Sequence, residues 1–275
     1  MHYHIFKTTE DQTGIGNYYR HLSVISLKQN ELNRAIELGE KSLEIFERLD
    51  DHSSMSRCYN TMGAVFWHKS DYNHALEMYQ QSLNISRTIG DIAGTGKCFH
   101  NIGLIFSGRG DFEQAMAMYQ KSLAIFEELH DWVGISNCYN NMANVFKEQE
   151  DFDRAMEILQ KSAEINDTLN DLAGTSMVQN NIGIILQKQG KYDRALNMYK
   201  KSLKIAKSLN YKKLISECLY GIGTLHLEQG QTTKALDKLK SSVTIMKEIG
   251  YHKHAAVDKI IADILSTPDH SGNDI

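Results

Sequence analysis

The chain spells one pattern every forty residues, and that period limits what it can fold into more than any other feature. Residues 91–130 read DIAGTGKCFHNIGLIFSGRGDFEQAMAMYQKSLAIFEELH, and residues 131–170 read DWVGISNCYNNMANVFKEQEDFDRAMEILQKSAEINDTLN. The same frame recurs at 51, 171 and 211, and more loosely at 11. Ala35, Ala75, Ala115, Ala155, Ala195 and Ala235 share one column; Ser42, Ser82, Ser122, Ser162, Ser202 and Ser242 share another, seven residues on. Six copies in register, with no insertion or deletion, describe a stack of equal units. Each unit is too short to bury its own apolar stripe, so neighbours must pack on one another.

Each unit reads as two helices. The first, helix A, starts behind Asp51, Asp91, Asp131 or Asp171, whose carboxylate can accept from the unpaired N–H groups of the first turn. It stops at turns such as Gly110-Asp111 or Gly190-Lys191, where Gly supplies the stop and Asp can cap the next helix. Helix B then carries Phe112, Ala115, Met116, Tyr119, Leu123 and Phe126 along one face. Only Pro268 is present to break helices, so the chain reads as all-α.

Ile102-Gly103, Phe106, Gly110, Ala115, Tyr119 and Ser122 resemble the tetratricopeptide repeat, with its Leu-Gly, aromatic, Gly-turn, small and aromatic positions. The match recurs over residues 11–250. It is similar to the forty-residue class of cell-polarity scaffolds, bacterial peptide-pheromone receptors and bacterial sensor proteins. The resemblance implies a right-handed α-solenoid of stacked helix-turn-helix repeats, spanning 11–50, 51–90, 91–130, 131–170, 171–210 and 211–250. Residues 1–10 keep Ile5-Phe6 in the frame of Ile125-Phe126 and read as the remnant of a preceding helix. Residues 251–266 read as a capping helix, and 267–275 as a disordered tail.

Several functions are set aside. A net charge of −4 and a pI near 6.3 lack the basic footprint of a nucleic-acid binder. No apolar run reaches the length of a membrane helix, and MHYHIFKTTEDQ has no signal-peptide pattern, so the expected compartment is the cytosol. Cys58, Cys98, Cys138 and Cys218 fall in one column, spaced by at least a helix-packing distance, and read as small packing residues. His2 and His4, or His252 and His254, are spaced i,i+2 and point apart, so no metal site is expected. Gly94, Gly134 and Gly174 recur as DxxG, which fits close approach to the preceding helix B better than a phosphate loop. No catalytic constellation stands out, and neither an enzyme nor a cofactor is expected.

In tetratricopeptide solenoids helix A lines the concave surface, so the resemblance assigns ligand contacts to its columns. The adjacent pairs Asn140-Asn141 and Asn180-Asn181 are weak helix formers, and they recur where ligand contacts belong. A carboxamide offers both donors and an acceptor, suiting it to the main chain of an extended peptide. Asn60, Asn140, Asn180, Asn137 and Asn144 are therefore assigned to a ligand, with His100 in the same column; Asn101, Asn141 and Asn181 fit a ligand contact or a tie between helices equally well. Arg20, Arg57, Lys97 and Lys147, with Trp67 and Leu104 among them, predict an acidic protein or peptide with apolar anchors. A chaperone-type carboxylate clamp laid on repeats 4–6 falls on Asn140, Asn144, Asn181, Glu217 and Gly221, without its cations; laid from repeat 1 it meets Arg20, Asn101 and Lys97 but fails at Val24 and Thr61, so a chaperone-tail receptor is not expected. The alternatives are a scaffold that self-associates end to end, or the sensor region of a larger signalling system.

Overall fold

The computed structural model describes residues 11–251 and 253–266. The expected remnant helix, the tail, His2, His4 and His252 lie outside the described residues. Within them the chain forms thirteen α-helices and no strand: α1 Gln12–Lys28, α2 Leu32–Arg48, α3 His52–His68, α4 Tyr72–Thr88, α5 Ile92–Arg109, α6 Phe112–Glu128, α7 Trp132–Glu148, α8 Phe152–Leu169, α9 Leu172–Lys188, α10 Tyr192–Ser208, α11 Lys212–Glu228, α12 Thr232–Glu248 and α13 His254–Ser266. None of these helices is long and apolar enough to cross a membrane.

Punctuation is local and regular. Asp11, Asp51, Asp71, Asp91, Asp131, Asp151 and Asp171 each accept the backbone N–H three residues on, which starts a helix. Asp111, expected to cap α6, makes no such bond. Every inter-helix turn passes through one residue at positive φ. Glycine fills that position at Gly90, Gly110, Gly190, Gly230 and Gly250, but Asn30, Asp50, Ser70, His130, Glu150, Asn170 and Asn210 occupy it elsewhere. The left-handed step is thus a property of the turn rather than of glycine, and the non-glycine residues bear its steric cost.

The chain forms two compact units, Met1–Val145 and Phe146–Ile275. In the first, successive helices from α1 through α6 pack on one another, and α3 also touches α1 and α5. Its core joins Ala75, Tyr79 and Leu83 of α4 to Cys98, Phe99, Ile102 and Ile105 of α5. The Gly/Tyr pattern has a steric origin. A Cβ on Gly63 would lie 2.7 Å from the Tyr79 ring, and one on Gly103 would lie 2.6 Å from the Tyr119 ring. A Cβ on Gly134 would meet Phe126 of α6 at 2.6 Å, so this DxxG glycine does admit the preceding helix.

In the second unit α8 to α13 pack in sequence, and α9 also touches α11. Leu186, Ala195, Tyr199, Ile222 and Leu225 form one core cluster, Ala206, Leu214, Ile215, Cys218 and Leu219 another. At its end Leu239, Val243 and Met246 of α12 close on Val257 of α13, so α13 covers the apolar face of the last repeat.

A buried polar seam runs inside the units. Ser42, Ser82, Ser122, Ser202 and Ser242 donate to the carbonyls of Gly16, Ser56, Gly96, Ser176 and Ser216, tying helix B to helix A of the same repeat. Those hydroxyls also meet the thiols sixteen residues on: Ser42 with Cys58, Ser82 with Cys98, Ser122 with Cys138, Ser202 with Cys218, at 3.0–3.5 Å. The cysteines are therefore small buried residues that also carry the link to the next repeat. All four are free, and burial raises every thiol above its ordinary pKa, to about 11 for Cys138 and Cys218.

Candidate functional site

The first unit holds a depression of about 320 Å³ lined by Asn60, Lys97, His100, Asn101, Phe126, Asp131, Val133, Gly134 and Asn137. Five of these are residues assigned from the sequence: Asn60 from α3, Lys97, His100 and Asn101 from α5, and Asn137 from α7. The wall adds what that assignment lacked. Phe126 and the half-exposed Val133 are its apolar surfaces, and Asp131 adds a carboxylate with one oxygen already on the N–H of Gly134. Only the DxxG spacing marked this corner in the sequence, and it did so as a packing feature.

The amides are held by one another. Asn101 Nδ2 donates to Asn60 Oδ1 at 2.9 Å, across 41 residues. Asn141 Nδ2 donates to His100 Nε2 at 3.1 Å, again across 41 residues. With Nε2 accepting, the neutral imidazole carries its proton on Nδ1, which faces Cys138 Sγ at 3.6 Å. Cys138 donates to Ser122 and Ser122 to the Gly96 carbonyl, so one chain of bonds leads from the depression to the seam. Burial lowers the His100 pKa to about 4, which keeps the ring neutral. In both contacts the first member of a pair is clasped by the second member of the next repeat.

Burial corrects part of the sequence assignment. Asn140 and Asn180 do not present amides to a ligand: they are only 6% and 5% exposed. Asn140 donates to the Ser136 carbonyl within α7, while Asn180 of α9 accepts from the Cys218 thiol of α11 at 3.4 Å. Both amides are buried and already hydrogen-bonded within the fold. Lys147 is corrected too. It is 9% exposed beside Glu148, and desolvation lowers its pKa, so it is no open groove cation.

The other assigned residues are spread around the site. Trp67 is half-buried against the α4–α5 core with its ring edge-on to His68 at 5.1 Å. Leu104, Asn141, Asn144 and Asn181 are half-buried and do not line the depression. Lys97 and Arg57 are exposed and carry no ion pair among the described residues. Among those residues no three of His, Cys, Asp and Glu converge in a way that could hold a metal ion.

Paired helices stacked in register define the class as an all-α solenoid of helix-turn-helix repeats. The sequence matches the tetratricopeptide repeat model over residues 14–88, 95–168 and 174–248, and the chain belongs to that family. No curated protein matches it. Among solved structures, the apo form of RapI is similar at 16% identity and a TM-score of 0.74, covering 89% of this chain and 88% of that one. NprR in complex with its cognate peptide NprX is similar at 15% identity and a TM-score of 0.73, covering 93% and 75%. BtubC from P. vanneervenii is similar at 20% identity and a TM-score of 0.62, covering 80% and 93%.

Proposed function

We propose that the chain is a non-catalytic, regulatory interaction module that holds an extended peptide segment of a partner in the depression of the first unit. The observation that carries this is the lining itself: apolar Phe126 and Val133 beside the Asn137 amide and the exposed Lys97 ammonium. That combination takes one apolar side chain, the polar main chain next to it and a negative charge at its edge. A volume of about 320 Å³ suits one or two residues rather than a folded surface. The solved NprR complex supports the reading, because a chain of similar fold there binds a peptide.

The test is selection of six-residue peptides from a displayed random library on the purified protein, followed by calorimetry on the Lys97→Ala and Asn137→Ala variants. The reading expects enriched peptides to combine an acid with a large apolar residue and to bind at least about tenfold more weakly to either variant. Failure to enrich any peptide, or equal binding to both variants, rejects it.

A further inference from the structure

The first repeat departs from the clasping pattern, and the departure leaves a cation without its clasp. Arg20 of α1 stands where Asn60 and His100 stand later, and Arg57 of α3 stands where Lys97 stands. Asn60 and Lys97 line the depression together. One forty-residue step back, the same two positions place Arg20 beside Arg57, on helices that pack directly.

Arg20 is not clasped as its counterparts are. Thr61 is the residue that would reach it, and its hydroxyl turns back onto the Arg57 carbonyl of its own helix at 2.9 Å. Among the described residues the Arg20 guanidinium hydrogen-bonds the neighbouring His21 ring, at 2.9 Å, and its Nε–H is buried with no acceptor. A buried charged donor left without an acceptor is costly, and native folds seldom keep one without a use. Arg57 donates to the Ser54 hydroxyl at 2.8 Å and is close enough to the capping Asp51 to lower the pKa of that carboxyl. No carboxylate among the described residues comes within ion-pair distance of either arginine, Asp51 acting on Arg57 only through space. The Arg57 charge disfavours the charge on Arg20, and each guanidinium offers a planar fork matched to a carboxylate.

We propose that Arg20 and Arg57 form a carboxylate-binding pair that receives an acidic group of the ligand one repeat before the depression. This rests on the peptide-binding reading and adds the class and place of the recognised group. The carboxylate is a side chain or a chain end, and the chemistry is the same for both.

The probe is fluorescein-labelled tetraglutamate at pH 7 and low salt, read by fluorescence anisotropy. Arg20→Gln and Arg57→Gln should each weaken binding about tenfold, whereas Lys41→Gln, which removes an exposed cation from α2, should leave it unchanged. Tetraglutamine with a free C-terminus and C-terminally amidated tetraglutamate separate chain end from side chain. In ¹⁵N-labelled protein the Arg20 Nε–H resonance should move on titration. Binding by both arginine variants equal to that of Lys41→Gln, or an unmoved Nε–H resonance, overturns the pair. Arg57 is exposed, so its variant decides the question if Arg20→Gln does not fold. Library-selected peptides that need Lys97 but ignore both arginines would reject this inference and leave the peptide reading standing; selection of no peptide at all would reject the reading itself.

Discussion

His100 gives a test that reads the clasp directly. Its Nε2 accepts from Asn141, and protonation would set an N–H against the amide N–H, as well as placing charge in a poorly solvated position. The ring is held at about 4 against an ordinary 6.5, so the unfolded chain takes up the proton first. A base with a depressed folded pKa contributes stability that is present above the unfolded pKa and lost as pH falls toward the folded one. Each tenfold difference in proton affinity between the two states is worth about 1.4 kcal/mol, so the linkage relation gives a loss of about 2 kcal/mol between pH 7 and pH 5. His100→Asn is the right control, because Asn60 and Asn180 fill that column without titrating. Urea unfolding of both proteins at pH 7 and pH 5 cancels the carboxylates they share. Wild type should lose about 2 kcal/mol more than the variant over that interval. Parallel losses would refute the buried neutral imidazole, and a His100 NMR titration midpoint near its ordinary 6.5 would do so independently.

Other perturbations draw on the same contacts. Asn180→Ala, which helix propensity alone would favour, should cost about 1 kcal/mol in urea unfolding, because a buried amide and its contact to the Cys218 thiol are lost. Gly103→Ala should cost about 1–3 kcal/mol, since the new Cβ meets the Tyr119 ring at 2.6 Å. Ser70→Gly and Glu150→Gly should each raise stability by about 0.5–1 kcal/mol, because both residues occupy left-handed turn positions. The four thiols should resist a soluble disulfide reagent in the native protein and react after unfolding; rapid native labelling would contradict their burial and raised pKa values.

The stack was legible because it rests on spacing alone: a fixed period, an Asp before each helix A, and an apolar stripe on helix B. The caps of Asp51, Asp91, Asp131 and Asp171 depend on one residue and its neighbours three positions away. The fate of the asparagines was not legible in that way. Helical spacing shows that Asn137, Asn140 and Asn144 share a stripe, but not how far the next repeat overlaps it. That overlap places a residue 41 positions on against Asn60 and His100, so these side chains are engaged by the next repeat. Asn137, three residues from Asn140 on the same stripe, stays at the depression. Lys147 misled for a related reason: its charge suggested exposure, and packing enclosed it. The orphan donor of Arg20 becomes visible only when Thr61 is seen to turn away.

The serine–thiol seam makes four of the five junctions a lock and key of two atoms repeated along the protein. Because every such contact reaches only the adjoining repeat, removing or duplicating forty residues in frame between thiol-bearing repeats would rejoin serine with thiol. Residue 178 carries Val in place of the thiol, so a copy of that repeat would bring a mute key wherever it was spliced. Length in such a lineage can therefore change by whole modules more easily than by single residues.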